Sequence, residues 1–358
     1  MIYWVQLFFK DYYGTADYYV YANSRKEAID KCCVPFDKKD IIQVSQEDQD
    51  RLEIISSRKS PGLTDVYCIQ PVKYRQEAKV NIGYTMFETD RLPKSWSTLC
   101  KPMDEIWVPS SFNLETFARS GIAKDKIHII PLGITPEKYG PTNSPLKIRG
   151  ASGFKFLSIF YWSLRKGWDI LLRAYLEEFT KADDVSLIIR ASNLNQKELV
   201  EFISSYKERP PIVIIPFSMN QKTLPRLYQS VDCYVAPSRG EGFLLPAAEA
   251  LASGVPVIAT NWGGQTEFLN DKNSYLIDVE KFVSIDQMMR DMTEAEEDHL
   301  WAEPSIDHLR VLMREVYENY EEAREKAVVG RQDILSNYTW KHTALKVLER
   351  INEYSELG

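Results

Sequence analysis

Apolar residues fall in short β-rich runs separated by stretches with helical spacing over most of the chain. From about residue 63 onward DEIWVP precedes SFNLETFARSGI and KIHIIPLGI, FKFLSIFY precedes WDILLRAYLEEFTK and VSLIIRAS, and PIVIIPF precedes LPRLYQSV and CYVAPS. Strand and helix alternating at this spacing predict parallel α/β sheets. Pro, Gly, Ser and Asn crowd into residues 131–153, PLGITPEKYGPTNSPLKIRGASG, where periodicity fades, so a linker is expected there. It separates a first domain over 1–145 from a second over 151–337, and the amphipathic helix at 338–356 is expected to cross back to the first. The first 60 residues depart from the alternation. Strands IYWVQLFF and DYYVYA, a helix RKEAIDKCC capped by Ser24, and a strand DIIQV give a β-β-α-β order.

Composition changes this picture in only a few places. With 358 residues, 44% hydrophobic and 27% charged, the chain has material for two globular cores and none of the bias of disordered or fibrous sequences. The opening run MIYWVQLFF is too short to span a bilayer and lacks a signal peptide's features. Five scattered cysteines without CxxC spacing suggest neither a disulfide framework nor a zinc site, so a cytoplasmic location is expected. The net charge is −7, and residues 1–145 carry 19 charges of each sign, so the excess lies wholly in the second part. A nucleic-acid binder would carry a basic footprint, and none is present. Arg58, Lys59, Lys73, Arg75 and Lys79 form a local basic cluster. It reads most plainly as a solvated face, with peripheral contact to an anionic membrane surface as the alternative.

Residues 234–269, YVAPSRGEGFLLPAAEALASGVPVIATNWGGQTEFL, carry the chemistry. A strand ending at Pro237 runs through a loop with Gly240 and Gly242 into a helix beginning near Leu244. That exposes helix N–H groups at the carboxyl end of a parallel strand, an arrangement that favours phosphate. Glu241 and Glu249 stand roughly 10 Å apart along the helix axis at about 1.5 Å per residue. That suits a nucleoside diphosphate sugar, with its sugar near Glu241 and its ribose hydroxyls near Glu249. The plain alternative is one surface and one helix carboxylate.

The stretch EGFLLPAAE with ALASGVPVIATNWGGQTEF resembles the E-x(7)-E region of the retaining GT-B glycosyltransferases of family 4. Further likenesses follow in chain order: IPLGI (130–134), RKGWDILLRAY (165–175), LYQSVDCYVAPS (227–238), WAEPSIDHLRVLMREVY (301–317) and YTWKHTALKVLERI (338–351). One branch of the family is also matched by GYTMFETDRLP and MDEIWVPS within residues 83–110. The resemblance implies two Rossmann-like, doubly wound parallel-sheet domains facing a cleft, the first atypical or shortened. It implies a UDP- or GDP-sugar as co-substrate, retention at the anomeric carbon, and neither cofactor nor metal. Glu241, Lys166 and Arg165 are the candidate catalytic residues. Gly242, Phe243, Leu244, Leu245, Glu249, Gly133, Arg190 and Phe217 are the candidate donor-binding residues. Glu88, Asp90, Arg91 and Ser110 are expected on the acceptor side, the acceptor being a glycan, a lipid or a small molecule. Oligomeric state is left open.

The sequence also departs from the family pattern. Tyr161 stands where many members have an arginine, five residues before the lysine of KG, with Arg165 as a neighbouring cation. None of the four histidines lies where many members place one near the reacting carbon, and His299 and His308 read as exposed. Asp104 and Glu105 read as capping or solvated residues, and Glu294, Glu296, Glu297 and Asp298 as a solvated charge run. Asp48 and Asp50 form a DxD read as a helix start, while Trp168 and Tyr175 read as core. Two other readings stay open: a non-catalytic sugar-nucleotide-binding or assembly subunit, and another GT-B enzyme such as a nucleotide-sugar epimerase or a disaccharide synthase.

Overall fold

A computed structural model describes residues 2–8, 15–21, 41–43, 64–68, 71, 74 and 79–355, except 141–143, 207, 217–218, 221 and 294. The chain divides into two compact units, residues 1–62 and 63–358. In the first, β1 (Ile2–Phe8) pairs antiparallel with β2 (Thr15–Tyr21) on one side and β3 (Ile41–Gln43) on the other. The helix expected at residues 25–33 lies outside the described residues, as do Asp48, Asp50 and all of the basic cluster but Lys79.

Two parallel sheets organise the second unit. The smaller has four strands in chain order: β4 (Thr64–Cys68), β5 (Val80–Tyr84), β6 (Glu105–Val108) and β7 (Ile127–Ile129). Helices α1 (Lys94–Cys100) and α2 (Ser111–Arg119) connect them. With no reversal of strand order, this sheet is one wing of a doubly wound fold.

The larger sheet comprises β8 (Phe154–Tyr161), β9 (Val185–Ser192), β10 (Ile212–Ile215), β11 (Cys233–Ala236), β12 (Val257–Thr260) and β13 (Tyr275–Ile277), in spatial order β10-β9-β8-β11-β12-β13. The order reverses between β8 and β11, the switch point outside whose carboxyl strand ends ligands bind in such sheets. Alternate side chains go to opposite faces. Cys233, Val235, Ile258 and Ile277 join the core beneath α3 (Trp168–Glu178), whereas Tyr234, Ala236, Val257 and Ala259 join the core on the other face. Helices α4 (Gln196–Ser204), α5 (Leu224–Tyr228) and α6 (Leu245–Ala252) complete the crossovers. Trp168 and Tyr175 are buried in the first of these cores.

The segment after β13 runs through β14 (Val279–Ser284), α7 (Gln287–Thr293) and β15 (Leu300–Pro304), with β14 and β15 antiparallel. Its Ile285, Met289, Ala295 and Trp301 share a core with Phe87, Trp96, Ile106 and Phe117, so it completes the hydrophobic face of the four-stranded sheet. The charge run at its end is not simply solvated. Arg91 pairs with Asp298 at 2.7 Å and the Lys94 N–H donates to Glu296; of the described members Glu297 and Asp298 are exposed, Glu296 is half-buried, and Glu294 lies outside the described residues. His299, expected at the surface, is 1% exposed between Thr89 Oγ1 (3.2 Å) and Glu296 (2.8 Å). Nearby apolar residues draw its backbone inward, which a local charge pattern does not reveal. His308 is half-buried and pairs with Asp278.

Three helices close the chain: α8 (Ile306–Glu318), α9 (Tyr320–Asn337) and α10 (Trp340–Ser355). Val347, Ile351 and Tyr354 of α10 pack on the opposite face of the four-stranded sheet, against Val80, Ile82 and Trp107. None of the described helices is long and apolar enough to cross a membrane. Asp104 accepts the Asn81 N–H, and Glu105 is buried rather than solvated. Its carboxylate accepts from Trp107 Nε1 at 2.6 Å, from Tyr354 at 2.8 Å and from Arg350. Burial pushes the carboxyl up, but the Arg350, Trp107 and Tyr354 hydrogen bonds outweigh it and hold it below its ordinary value.

A lowered folded-state value means that Glu105 stabilises the fold at neutral pH and loses that contribution as pH falls through the lowered value. Glu105→Gln is therefore expected to cost stability at pH about 7 and to flatten the acid limb below pH about 4. Urea unfolding across that range checks this, and an acid limb as steep as that of the wild type would contradict it.

Candidate active site

Two loops at the switch point bring the candidate charges together. After β8 the chain turns through a short 3-10 segment, Leu164–Lys166, into Gly167, whose φ of 66° lies in the left-handed region. A side chain there would collide with the Pro237 carbonyl, so glycine lets this loop seat against the one after β11. Arg239 N–H donates to the Arg165 carbonyl at 2.7 Å, joining the loops directly.

Lys166 Nζ lies 2.6 Å from Glu241 Oε1, and Arg165 Nη1 lies 2.7 Å from the Gly240 carbonyl, 3.5 Å from Glu241 Oε2 and 3.5 Å from Glu88 Oε1. Glu88 follows β5 in the first half, so the cluster joins both halves of this unit. Burial pushes the Glu241 carboxyl up, but Lys166 and Arg165 outweigh it and hold it below its ordinary value. Burial lowers Lys166, against the opposing pull of Glu241. Two cations and two carboxylates make a locally neutral group, which is what partial burial of four charges requires.

Behind this group, Arg239 is 7% exposed, grips Asp169 and Glu303 with bidentate pairs at 2.6–3.0 Å and donates to the Leu164 carbonyl. Asp169 opens α3 and Glu303 lies on β15, so one guanidinium fixes the loop bearing Lys166, the loop bearing Glu241, and the segment that completes the core of the four-stranded sheet. Sequence reading passed over Arg239, although its place two residues before Glu241 was a usable signal.

Glu249, one turn into α6, is capped by two tyrosines. Tyr139 Oη donates to Oε1 at 2.5 Å and Tyr228 Oη donates to Oε2 at 2.9 Å. Burial raises the Glu249 carboxyl, and these two hydrogen bonds oppose the rise. Tyr139 lies in the linker, where no periodicity marked it. Arg190, buried on β9, contributes a weaker opposing charge effect at Glu249. Leu244 caps α6 with φ 68°, a left-handed backbone costing roughly 1–2 kcal/mol for a residue with a side chain.

The remaining candidates are dispersed. Gly242 faces Met86, and its carbonyl accepts from Ser110 Oγ at 3.0 Å while the same oxygen caps α2. Phe243 packs on Phe268 and Tyr338, and Leu245 lies at the edge of the same core. Gly133 sits against the backbone of Thr339 and Trp340, where linker and C-terminal segment cross. Asp90 and Arg91 hold Leu300 and Asp298. Tyr161 accepts a hydrogen bond from Asn193. Phe217 lies outside the described residues.

A profile of family 4 glycosyltransferases in conflict systems matches residues 113–347. The chain belongs to that family. Its member here is 29% identical over 157 residues to the mannosylfructose-phosphate synthase of Agrobacterium fabrum, which covers 40% of this chain and 34% of that protein. It is also 29% identical over 175 residues to the D-inositol 3-phosphate glycosyltransferase of Xylanimonas cellulosilytica, 44% of this chain and 40% of that one. The matches thus span well under half of these relatives. The fold is similar to that of Anabaena HepE, solved in complex with UDP and glucose, with a TM-score of 0.59 at 15% identity over 76% of this chain and 71% of that one. It is the GT-B fold.

Removing the Tyr139 hydroxyl leaves Glu249 its burial and only one tyrosine donor, so its carboxyl titrates higher in Tyr139→Phe. A raised folded-state value stabilises the fold at acid pH and loses that contribution as pH rises through it. The stability decline with rising pH is therefore expected to reach further toward neutrality in Tyr139→Phe than in the wild type. Urea midpoints measured from pH about 4 to 8 test this, and coincident profiles would contradict it.

Proposed function

We propose that this chain is a retaining, metal-independent glycosyltransferase that moves a sugar from a UDP- or GDP-sugar to an acceptor hydroxyl. Family membership supports the class of reaction, and the UDP and glucose held by the similar fold in HepE support the donor class. The observation that carries the reading is the meeting of Lys166 and Arg165 with Glu241 at the switch point, beside the start of α6.

Charge develops on the leaving diphosphate as the glycosidic bond breaks. Preorganised cations and backbone donors stabilise such charge most where water is excluded. Lys166 and Arg165 supply the cations, with the dipole of α6 in the favourable sense; Pro246 brings no N–H and the Ala247 N–H is taken by the Leu244 carbonyl, so backbone donation falls to the residues before Pro246. Glu241 then accepts from the sugar hydroxyls and Glu249 from the ribose diol. The acceptor oxygen bonds to the anomeric carbon on the face the diphosphate leaves, and a phosphate oxygen takes the acceptor proton, so configuration is retained. Diphosphate arrival draws the two cations from their carboxylates, and Glu88 is the carboxylate best placed to give way, because Lys166 holds Glu241 more closely.

The test is a panel of UDP-, GDP- and ADP-sugars, read by thermal shift and by release of nucleoside diphosphate, with wild type, Glu241→Ala and Lys166→Ala. One donor is expected to stabilise the wild type by about 2–3 kcal/mol at about 100 times its Kd. Release is expected to fall about 10- to 100-fold in Glu241→Ala and about 100-fold or more in Lys166→Ala. If none of the sugars shifts the wild type, the donor assignment fails. Binding without release under every acceptor would favour a sugar-nucleotide-binding subunit.

A further inference from the structure

A second cleft, of about 650 Å³, opens beside the candidate active site between α2, the loop after β12 and strand β14. Its aromatic wall is Trp262, with Phe112 at 4.7 Å and 73° on one side and Phe282 at 5.8 Å and 67° on the other. Phe282 is 52% exposed, although a ring of that size is ordinarily buried. Asn261, Glu115 and Arg119 stand among the lining residues and are exposed. Aromatic faces beside an amide, a carboxylate and a guanidinium match a pyranose, which has an apolar C–H face and a rim of vicinal hydroxyls. A lipid chain would make no use of these polar groups, of which Glu115 is also paired with Lys124 at 2.6 Å.

The position of the cleft gives that match a consequence. Gly263, one of its lining residues, lies against the Glu241 backbone, and the Gly264 N–H donates to the Glu241 carbonyl at 2.7 Å. Ser111 lines the cleft as well, and its neighbour Ser110 touches the Gly242 carbonyl. The cleft and the Glu241 loop therefore share a wall one backbone thick. Resting on the glycosyltransferase reading above, we propose that this cleft is a carbohydrate subsite that seats a sugar unit of the acceptor, flanking the unit that receives the transferred sugar. The acceptor class this selects is a saccharide of at least two units or a glycoconjugate ending in one.

Cellobiose, chitobiose, lactose and mannobiose are the probes, titrated into wild type, Phe282→Ala and Phe282→Tyr by ligand-observed NMR without donor. Donor hydrolysis is measured separately with each protein. At least one disaccharide is expected to bind the wild type, to weaken about fivefold or more in Phe282→Ala and to recover in Phe282→Tyr, while hydrolysis stays unchanged. Phe282 is half-exposed and outside the charge cluster, so its truncation leaves the fold and the donor side intact. If no disaccharide binds, or if each binds Phe282→Ala as well as wild type, the proposal is overturned whatever the hydrolysis assay gives. Absent hydrolysis with Phe282-dependent disaccharide binding would count against the donor reading and leave the subsite standing.

Discussion

Four charges kept partly out of water set the terms for the second unit. Lys166, Arg165, Glu241 and Glu88 come from three separate loops, and each lies within 2.6–3.5 Å of an opposite charge. An unpaired charge there would cost several kcal/mol, so each loop is held by the need of the others for a partner. The surrounding structure is consistent with that demand. Gly167 lets the two second-half loops touch, and Arg239 braces both of them. Glu88 can take part only because the segment β14–β15 completes the core beneath residues 87–92.

The two halves are consequently joined at three levels. Charge joins them at the Glu88–Arg165 contact. Apolar packing joins them where Trp301 of β15 lies beside Gly240 and within the core containing Phe87. Chain crossing joins them where Ile134 and Thr339 pair and α10 turns onto the four-stranded sheet. Glu105 anchors that last element through Arg350 and Tyr354. A motion that opens the cleft must keep the core contacts, which are costly to break, and can release the Glu88–Arg165 pair, which at 3.5 Å is looser than the Lys166–Glu241 pair at 2.6 Å.

Much of this was legible in the sequence because its signals are local. Strand–helix alternation announces a parallel sheet residue by residue, and a glycine-rich loop between β11 and α6 marks a carboxyl strand end without knowledge of the rest of the fold. The family resemblance over EGFLLPAAE worked for the same reason. What stayed hidden depends on long-range partners. Glu296, Asp298 and His299 look like surface until residues 89–94, some two hundred positions earlier, arrive to bind them. Tyr139 lies in a segment without period, and only the folded linker brings it to Glu249. Glu105 resembles a solvated strand start because its partner, Arg350, is 245 positions away.

Glu249 illustrates how such partners bear on chemistry. A carboxylate waiting for two ribose hydroxyls would be poorly solvated in a partly buried position, and its ionisation would be disfavoured. Tyr139 and Tyr228 supply two hydroxyl donors in the same number and of the same kind that a diol would bring. A diol that binds there exchanges hydroxyl for hydroxyl, so the net gain in hydrogen bonding is small and discrimination must come from shape and from the diphosphate. Of the two, Tyr139 is on the more adaptable element and is the one a diol would displace. Tyr228 is fully buried on α5, whereas Tyr139 belongs to the linker between the two sheets, so a ligand displacing it acts directly on the segment that joins the halves.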